Sequence, residues 1–158
     1  MNVDGLIQEM ATPPVVAVLR MMAAMICGGL IGLDRQFRDG PAGVRTHMLI
    51  SLAACLFTIV AFELLTVWQE EQGDLGANPL HLIVAITNGV AFLAAGSIIT
   101  SGGKVRGLTT GASMWLAGAA GLACGTGLLV LASSTVILSL VVLWLLRLVV
   151  ERLGIKND

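Results

Sequence analysis

The sequence predicts an all-α fold: a polytopic integral membrane bundle of five transmembrane helices, with the N-terminus outside and the C-terminus cytoplasmic. Three observations predict it. Of 158 residues, 56% are hydrophobic and only 12% charged, and mean hydropathy is +0.91, far from the makeup of a soluble domain. Apolar runs cover 15–33, 46–66, 79–99 and 108–150, each long enough to cross about 30 Å of hydrocarbon at 1.5 Å per residue. Eight of the nine basic residues then fall on one side, as short cytoplasmic loops require.

Taken in order, the segment up to Thr12 carries Asp4 and Glu9 but no base, unlike a secretory signal, so the first apolar run is expected to stay in the protein. Span one (15–33) ends with Gly28 and Gly32, four apart, and is followed by Arg35, Arg38 and Arg45. Span two (46–66) leads to Glu70, Glu71 and Asp74 with no Lys or Arg. Span three (79–99) contains Asn88 and Gly96 and precedes Lys104 and Arg106. The last run would reach about 64 Å as one helix, twice the hydrocarbon thickness, and two glycines at 125 and 127 favour a turn, so it divides into spans at 108–123 and 128–150. Arg147, Arg152 and Lys156 then return to the basic side. All five spans form one domain over 1–158.

Lipid is as apolar as leucine, so helices associate through small residues and polar groups. Gly28, Gly32, Gly96, Gly107, Gly111 and Gly121 are the candidate packing positions. There is also an internal echo: span one, a basic loop and Val44-Arg45 resemble span three, a basic loop and Val105-Arg106.

Several function classes are excluded as expectations. A net charge of -1, with no basic run interleaved with aromatics, argues against nucleic acid. Cys27, Cys55 and Cys124 lie in apolar segments, an odd number with no short spacing, and are read as packing residues. Gly102-Gly103-Lys104 fails as a phosphate loop because Ile98 and Val105 occupy required Gly and Ser/Thr positions. No zinc-protease helix or nucleophile elbow appears, and His47 and His81 are separated by span two. Neither a cofactor nor an enzymatic activity is expected.

Charge inside hydrocarbon is costly unless paired or snorkelling, and Arg20 and Glu63 share a depth near the outer surface, so an ion pair or separate snorkelling is expected. Asn88, mid-span, calls for an interhelical hydrogen bond or a place on a solute path. At the cytoplasmic end, Asp34, Arg35, Arg45, Thr46, Arg106 and Thr110 form a candidate polar cluster. Arg35 and Arg38 anchor orientation, a bridge from Asp34 to Arg45 closes the first hairpin with Arg106 as a competing partner, Gly40-Pro41 supplies the turn, and Thr46 caps span two. Ser97, Thr100, Ser101, Thr109 and Ser113 add hydroxyls near that side.

The motifs Gly28-Gly-Leu-Ile-Gly-Leu-Asp-Arg35, Ala42-Gly-Val-Arg-Thr-His47, Asn88-Gly-Val-Ala-Phe-Leu-Ala-Ala-Gly96 and Val105-Arg-Gly-Leu-Thr-Thr110 with Trp115 resemble, in order, the membrane domain of the MgtC/SapB family. The resemblance runs from about Arg20 to Val150, and its motif residues include Gly32, Asp34, Arg35, Gly43, Arg45, Thr46, Gly96, Arg106, Gly107, Thr110 and Trp115. Ala94 stands where the family typically has Gly. Membership implies a multi-pass protein of the bacterial inner membrane associated with magnesium homeostasis, growth at low magnesium and, in some pathogens, survival in host cells. Longer members append a cytoplasmic ACT-like domain with no counterpart in these residues, so roles depending on it do not carry over. Two functions are expected in order: a regulatory membrane protein that binds a second copy or another inner-membrane protein, or a transporter or channel for Mg²⁺, K⁺ or H⁺. Mg²⁺ prefers carboxylate and water oxygens, and Glu63 and Asp34 are thin provision for it.

Overall fold

The computed structural model describes residues 10–38, 40–72, 79–101 and 104–152. It contains α1 (Pro14–Gln36), α2 (Val44–Gln72), α3 (Pro79–Gly96), β1 (Ile99–Ser101), β2 (Lys104–Arg106), α4 (Leu108–Gly125) and α5 (Leu129–Arg152). The readings made on Asp4, Glu9, Asp74, Gly102, Gly103 and Lys156 lie outside the described residues, as do the side chains of Glu70, Glu71, Thr100, Ser101, Lys104 and Arg147. Five helices correspond to the five expected spans. Two of them, Pro14–Gln36 and Val44–Val67, are long and apolar enough to cross a membrane, and Leu80–Gly96 and Leu129–Leu145 are shorter apolar helices.

Local chemistry sets the boundaries. Pro14 sits in the first turn of α1, where a missing N–H costs nothing. The third helix ends at Gly96, short of the expected 99, because the chain turns at Ser97 and Ile98 and then Ile99–Ser101, opening on two β-branched residues, goes extended and pairs antiparallel with β2, Ile99 opposite Arg106. Gly107 then starts α4 at φ 88, a left-handed conformation that a side chain rarely adopts, with the Ser97 carbonyl filling the space a Cβ would need. The break between α4 and α5 is a Schellman turn. Gly127, at φ 82, donates its N–H to the Cys124 carbonyl at 3.0 Å, and Leu128 donates to Ala123 at 2.8 Å.

α1, α2 and α4 pack against one another and form the centre; α3 lies on α4, and α5 on α4 and α1. Close approaches give the directions. The end of α1 meets the start of α2 (Gly32 on Val44 and His47), and Gly125 late in α4 meets Thr58 in α2, so α2 and α4 run parallel and α1 opposite to both. Gly118 meets Val90 and Gly111 meets Ala94, so α3 also opposes α4. Arg35, Arg38, Arg45 and Arg106 therefore gather at one end of the bundle. Apolar cores fill the interfaces, one around Ile50, Val90 and Met114, one around Ala24, Cys55, Ile59 and Cys124, and one around Ile31, Ala117 and Val136. α2 and α3 scarcely touch. They leave between them an apolar groove of 470 Å³.

Candidate functional site

One face of α2 carries His47, Ser51, Cys55 and Thr58, all 0% exposed. The spacing of four, four and three puts them on a single stripe running down the helix. This stripe faces the glycines of α1 and α4, and it is the polar seam of the molecule.

The seam is closed by backbone. A Cβ on Gly28 would meet the His47 carbonyl, and one on Gly32 would lie 2.8 Å from the Val44 Cα. On α4, a Cβ on Gly121 would run into the main chain of Ser51, and one on Gly125 would lie 2.6 Å from the Thr58 Cβ and 2.8 Å from the Cys55 carbonyl. Small residues admit such approach between membrane helices, and dispersion then acts over the whole contact.

Polar groups on the seam are satisfied locally. His47 Nδ1 is 2.8 Å from the Gly43 carbonyl and Nε2 is 2.9 Å from Ser113 Oγ. A carbonyl only accepts, so Nδ1 carries the proton, and in the neutral ring Nε2 accepts from the Ser113 hydroxyl. Ser113 Oγ is also 2.8 Å from the Thr110 carbonyl, to which it donates in the alternative hydroxyl orientation. Thr58 donates to the Ala54 carbonyl at 2.7 Å. The Ser51 hydroxyl is the exception, with no hydrogen-bond partner among the described residues. Further along, the Cys27 and Cys124 thiols lie within hydrogen-bonding reach, with Cys55 beside them. The three cysteines thus meet at one depth, between α1, α2 and α4.

The candidate cluster at the basic end assembles differently from the expectation. Asp34 receives Arg35 through Nε (3.0 Å) and Nη2, and Arg38 through Nε at 3.0 Å and Nη2 at 2.9 Å. Both arginines come from α1 or the residues just after it, so the hairpin bridge to Arg45 is not formed. Arg45 and Arg106 are exposed and make no ion pair among the described residues. The reason is local. Arg38, four residues on, and the adjacent Arg35 reach the carboxylate without ordering a loop, and they occupy its oxygens. Arg38 also reaches the Leu143 carbonyl on α5 at 3.4 Å. Thr110 is buried beside this cluster, where a Cβ on Gly40 would lie 3.1 Å from its Oγ1. Thr46 is the third residue of α2 and not its cap; the Gly43 carbonyl accepts the first helical bond, from His47 N at 3.2 Å.

At the opposite end, Arg20 and Glu63 do not pair. Arg20 donates to the Gly125 carbonyl at 2.9 Å, where the last carbonyls of α4 lack helical partners and favour a cation. Glu63 accepts from the backbone N–H groups of Ala11 at 2.7 Å and Thr12 at 2.8 Å, tying the entry of α1 to α2. A carbonyl at the end of α4 and two amides ahead of α1 therefore capture the two charges separately. Asn88 is exposed on α3 with no hydrogen bond among the described residues, contrary to an interhelical bond within the chain. Among the packing glycines, Gly28, Gly32, Gly107, Gly111 and Gly121 meet neighbouring atoms, whereas Gly96 meets nothing within 4 Å.

Sequence reasoning missed the seam. Its signal was the recurrence of small polar and thiol residues at 47, 51, 55 and 58 inside an apolar span, a helical period that composition alone conceals. Among the described residues no group of three or more His, Cys, Asp or Glu side chains is arranged to hold a metal ion.

A helical bundle with two apolar helices of membrane-crossing length, a glycine-closed seam and its arginines at one end has the makeup of a small helical membrane protein. The MgtC family model matches residues 21–152, and the chain belongs to the MgtC family. It is 38% identical over 131 residues to "Protein MgtC" of Brucella abortus (strain 2308), covering 83% of this chain and 51% of that protein. It is 33% identical over 141 residues to "Putative magnesium transporter YhiD" of Escherichia coli (strain K12), covering 89% of this chain and 65% of that protein. The chain therefore spans about half to two-thirds of the length of these curated relatives. No solved structure matches it.

Proposed function

We propose that this chain is a regulatory membrane protein linked to magnesium homeostasis that acts by binding another protein within the bilayer, helix against helix, without enzymatic activity. In this reading all five helices cross a bacterial inner membrane, with the arginine-rich end cytoplasmic and the Arg20 end outside, as the distribution of basic residues favours. A role under low-magnesium or host-survival stress follows the family resemblance. The observation that carries the reading is the seam: where polar side chains line up along the bundle, glycines let backbone fill the space that a hydrated path needs. Among the described side chains, both carboxylates are engaged, Asp34 by two arginines and Glu63 by two backbone amides.

The alternative is a Mg²⁺, K⁺ or H⁺ transporter or channel, favoured by the E. coli relative's name as a putative magnesium transporter. Mg²⁺ gives up its water reluctantly and is usually held by free carboxylates, which argues against it here. Flux measurements on the purified chain in phosphatidylethanolamine–phosphatidylglycerol vesicles separate the two. Loading with dyes for Mg²⁺, K⁺ and H⁺ is expected to reveal no flux above empty vesicles. Saturable, selective flux that disappears in Asp34→Asn would overturn the regulatory reading.

A further inference from the structure

We propose that the cavity at the Arg20 end of the bundle binds a phosphate group, held by the Arg20 guanidinium. The cavity lies where α1, the last turns of α2 and the turn between α4 and α5 come together, and its volume is 240 Å³.

Arg20 is held in place there without being neutralised. Nη1 donates to the Gly125 carbonyl at 2.9 Å, and Nη2 lies 2.8 Å from where a Cβ on Gly127 would stand, so the guanidinium rests against a turn that glycine leaves open. These contacts fix the orientation of a fork with five N–H donors and use one of them. No carboxylate pairs with Arg20 among the described residues. Glu63, next to Phe62 in α2, lines another cavity, and its oxygens are occupied by the Ala11 and Thr12 amides.

The rest of the lining sets the class of ligand. Arg20 is the one charged side chain among the described lining residues, so the cavity favours an anion. Thr12, Thr66 and Thr126 add hydroxyls to its wall. Those of Thr66 and Thr126 each donate to a carbonyl of their own helix at 2.9 Å, and a hydroxyl can turn to donate to an anion instead. Ile59 and Phe62 supply an apolar side, with Phe62 39% exposed. A planar guanidinium matches two oxygens of one phosphate, and the volume takes that phosphate with its ester arms while leaving acyl chains outside. A phospholipid headgroup and inorganic phosphate both offer this chemistry.

The delipidated full chain in dodecyl maltoside micelles tests the site. Native mass spectrometry measures binding of dioleoyl phosphatidylglycerol and of dioleoylglycerol, which lacks the phosphate, and phosphorus NMR line broadening measures binding of inorganic phosphate. Saturable binding of phosphatidylglycerol is expected, weakened about tenfold or more in dioleoylglycerol and in Arg20→Gln, as loss of hydrogen bonds to a charged group implies. Arg45→Ala, an exposed arginine at the opposite end, is expected to leave it unchanged. Inorganic phosphate that binds the intact chain and not Arg20→Gln supports the site with the free ion as a sufficient ligand. Phosphatidylglycerol binding without inorganic phosphate supports it with the lipid headgroup as the source. Binding of neither phosphate source overturns the proposal, as does binding that Arg20→Gln leaves unchanged with helicity retained. Should Arg20→Gln lose its helicity, Thr66→Phe decides, because it fills the cavity and keeps Arg20. An affinity unchanged in Thr66→Phe overturns the site, and one weakened about tenfold supports it.

Discussion

Replacing Gly121 with valine is expected to leave little folded protein, and alanine alone to cost about 3 kcal/mol, the upper end of ordinary overpacking. The cost is high because the new atom meets the carbonyl oxygen, carbonyl carbon and Cα of Ser51, which are main-chain atoms of a helix and not the end of a flexible side chain. α2 and α4 must then separate along the seam, exposing His47, Ser51 and Thr58 to surroundings that offer them no partners. Against a total stability of about 5–15 kcal/mol, alanine is a serious loss and valine close to complete. Gly96→Ala is the internal comparison, with an expected change within about 0.5 kcal/mol because that position faces open space. Fraction folded against SDS in mixed micelles, followed by circular dichroism, measures both.

Asp34→Ala is expected to destabilise by about 2–3 kcal/mol. Arg35 is 7% exposed and relies on Asp34 for charge neutralisation, and Arg38 shares the same carboxylate. Removing one member of a fully buried pair costs about 3–5 kcal/mol; the Asp34 side chain is 17% exposed, so the estimate is lowered accordingly. Asp34→Asn keeps the shape and one acceptor oxygen and is expected to lose less. By contrast, Arg45→Ala and Arg106→Ala, at exposed positions without ion pairs, are expected to alter stability by no more than about 0.5 kcal/mol. The same micelle titration distinguishes these four variants, and equal losses for Asp34→Ala and Arg45→Ala would show that the carboxylate serves the hairpin after all.

Much of the architecture was legible because hydrophobic length and glycine placement act over whole segments. The five helices, the break at Gly125–Gly127 and the glycines of α1 and α4 all follow from such signals. Partners were harder to read. A charge seen in sequence suggests its opposite at the same depth, but Arg20, Asp34 and Glu63 each took something nearer: a helix-end carbonyl, arginines one and four residues along the chain, or two amides before the first turn. The three cysteines, unremarkable by spacing, converge because their helices cross at one level. His47 illustrates the same limit. The stripe at 47, 51, 55 and 58 marks a shared face of span two, but what buries His47 is Gly32 and Ser113 from two other helices, a register that span two alone does not specify.

That convergence supplies a direct probe of the closed seam. Cys27, Cys55 and Cys124 are free thiols placed between α1, α2 and α4, and a water-soluble, membrane-impermeant thiol reagent modifies only cysteines that water reaches. With the unmodified protein in vesicles and reagent on both sides, the account predicts that fewer than one thiol per chain is labelled while folded, and all three after unfolding in SDS. Rapid labelling of Cys55 or Cys124 in the folded protein would mean that water runs along the seam, contradicting the packed bundle proposed here.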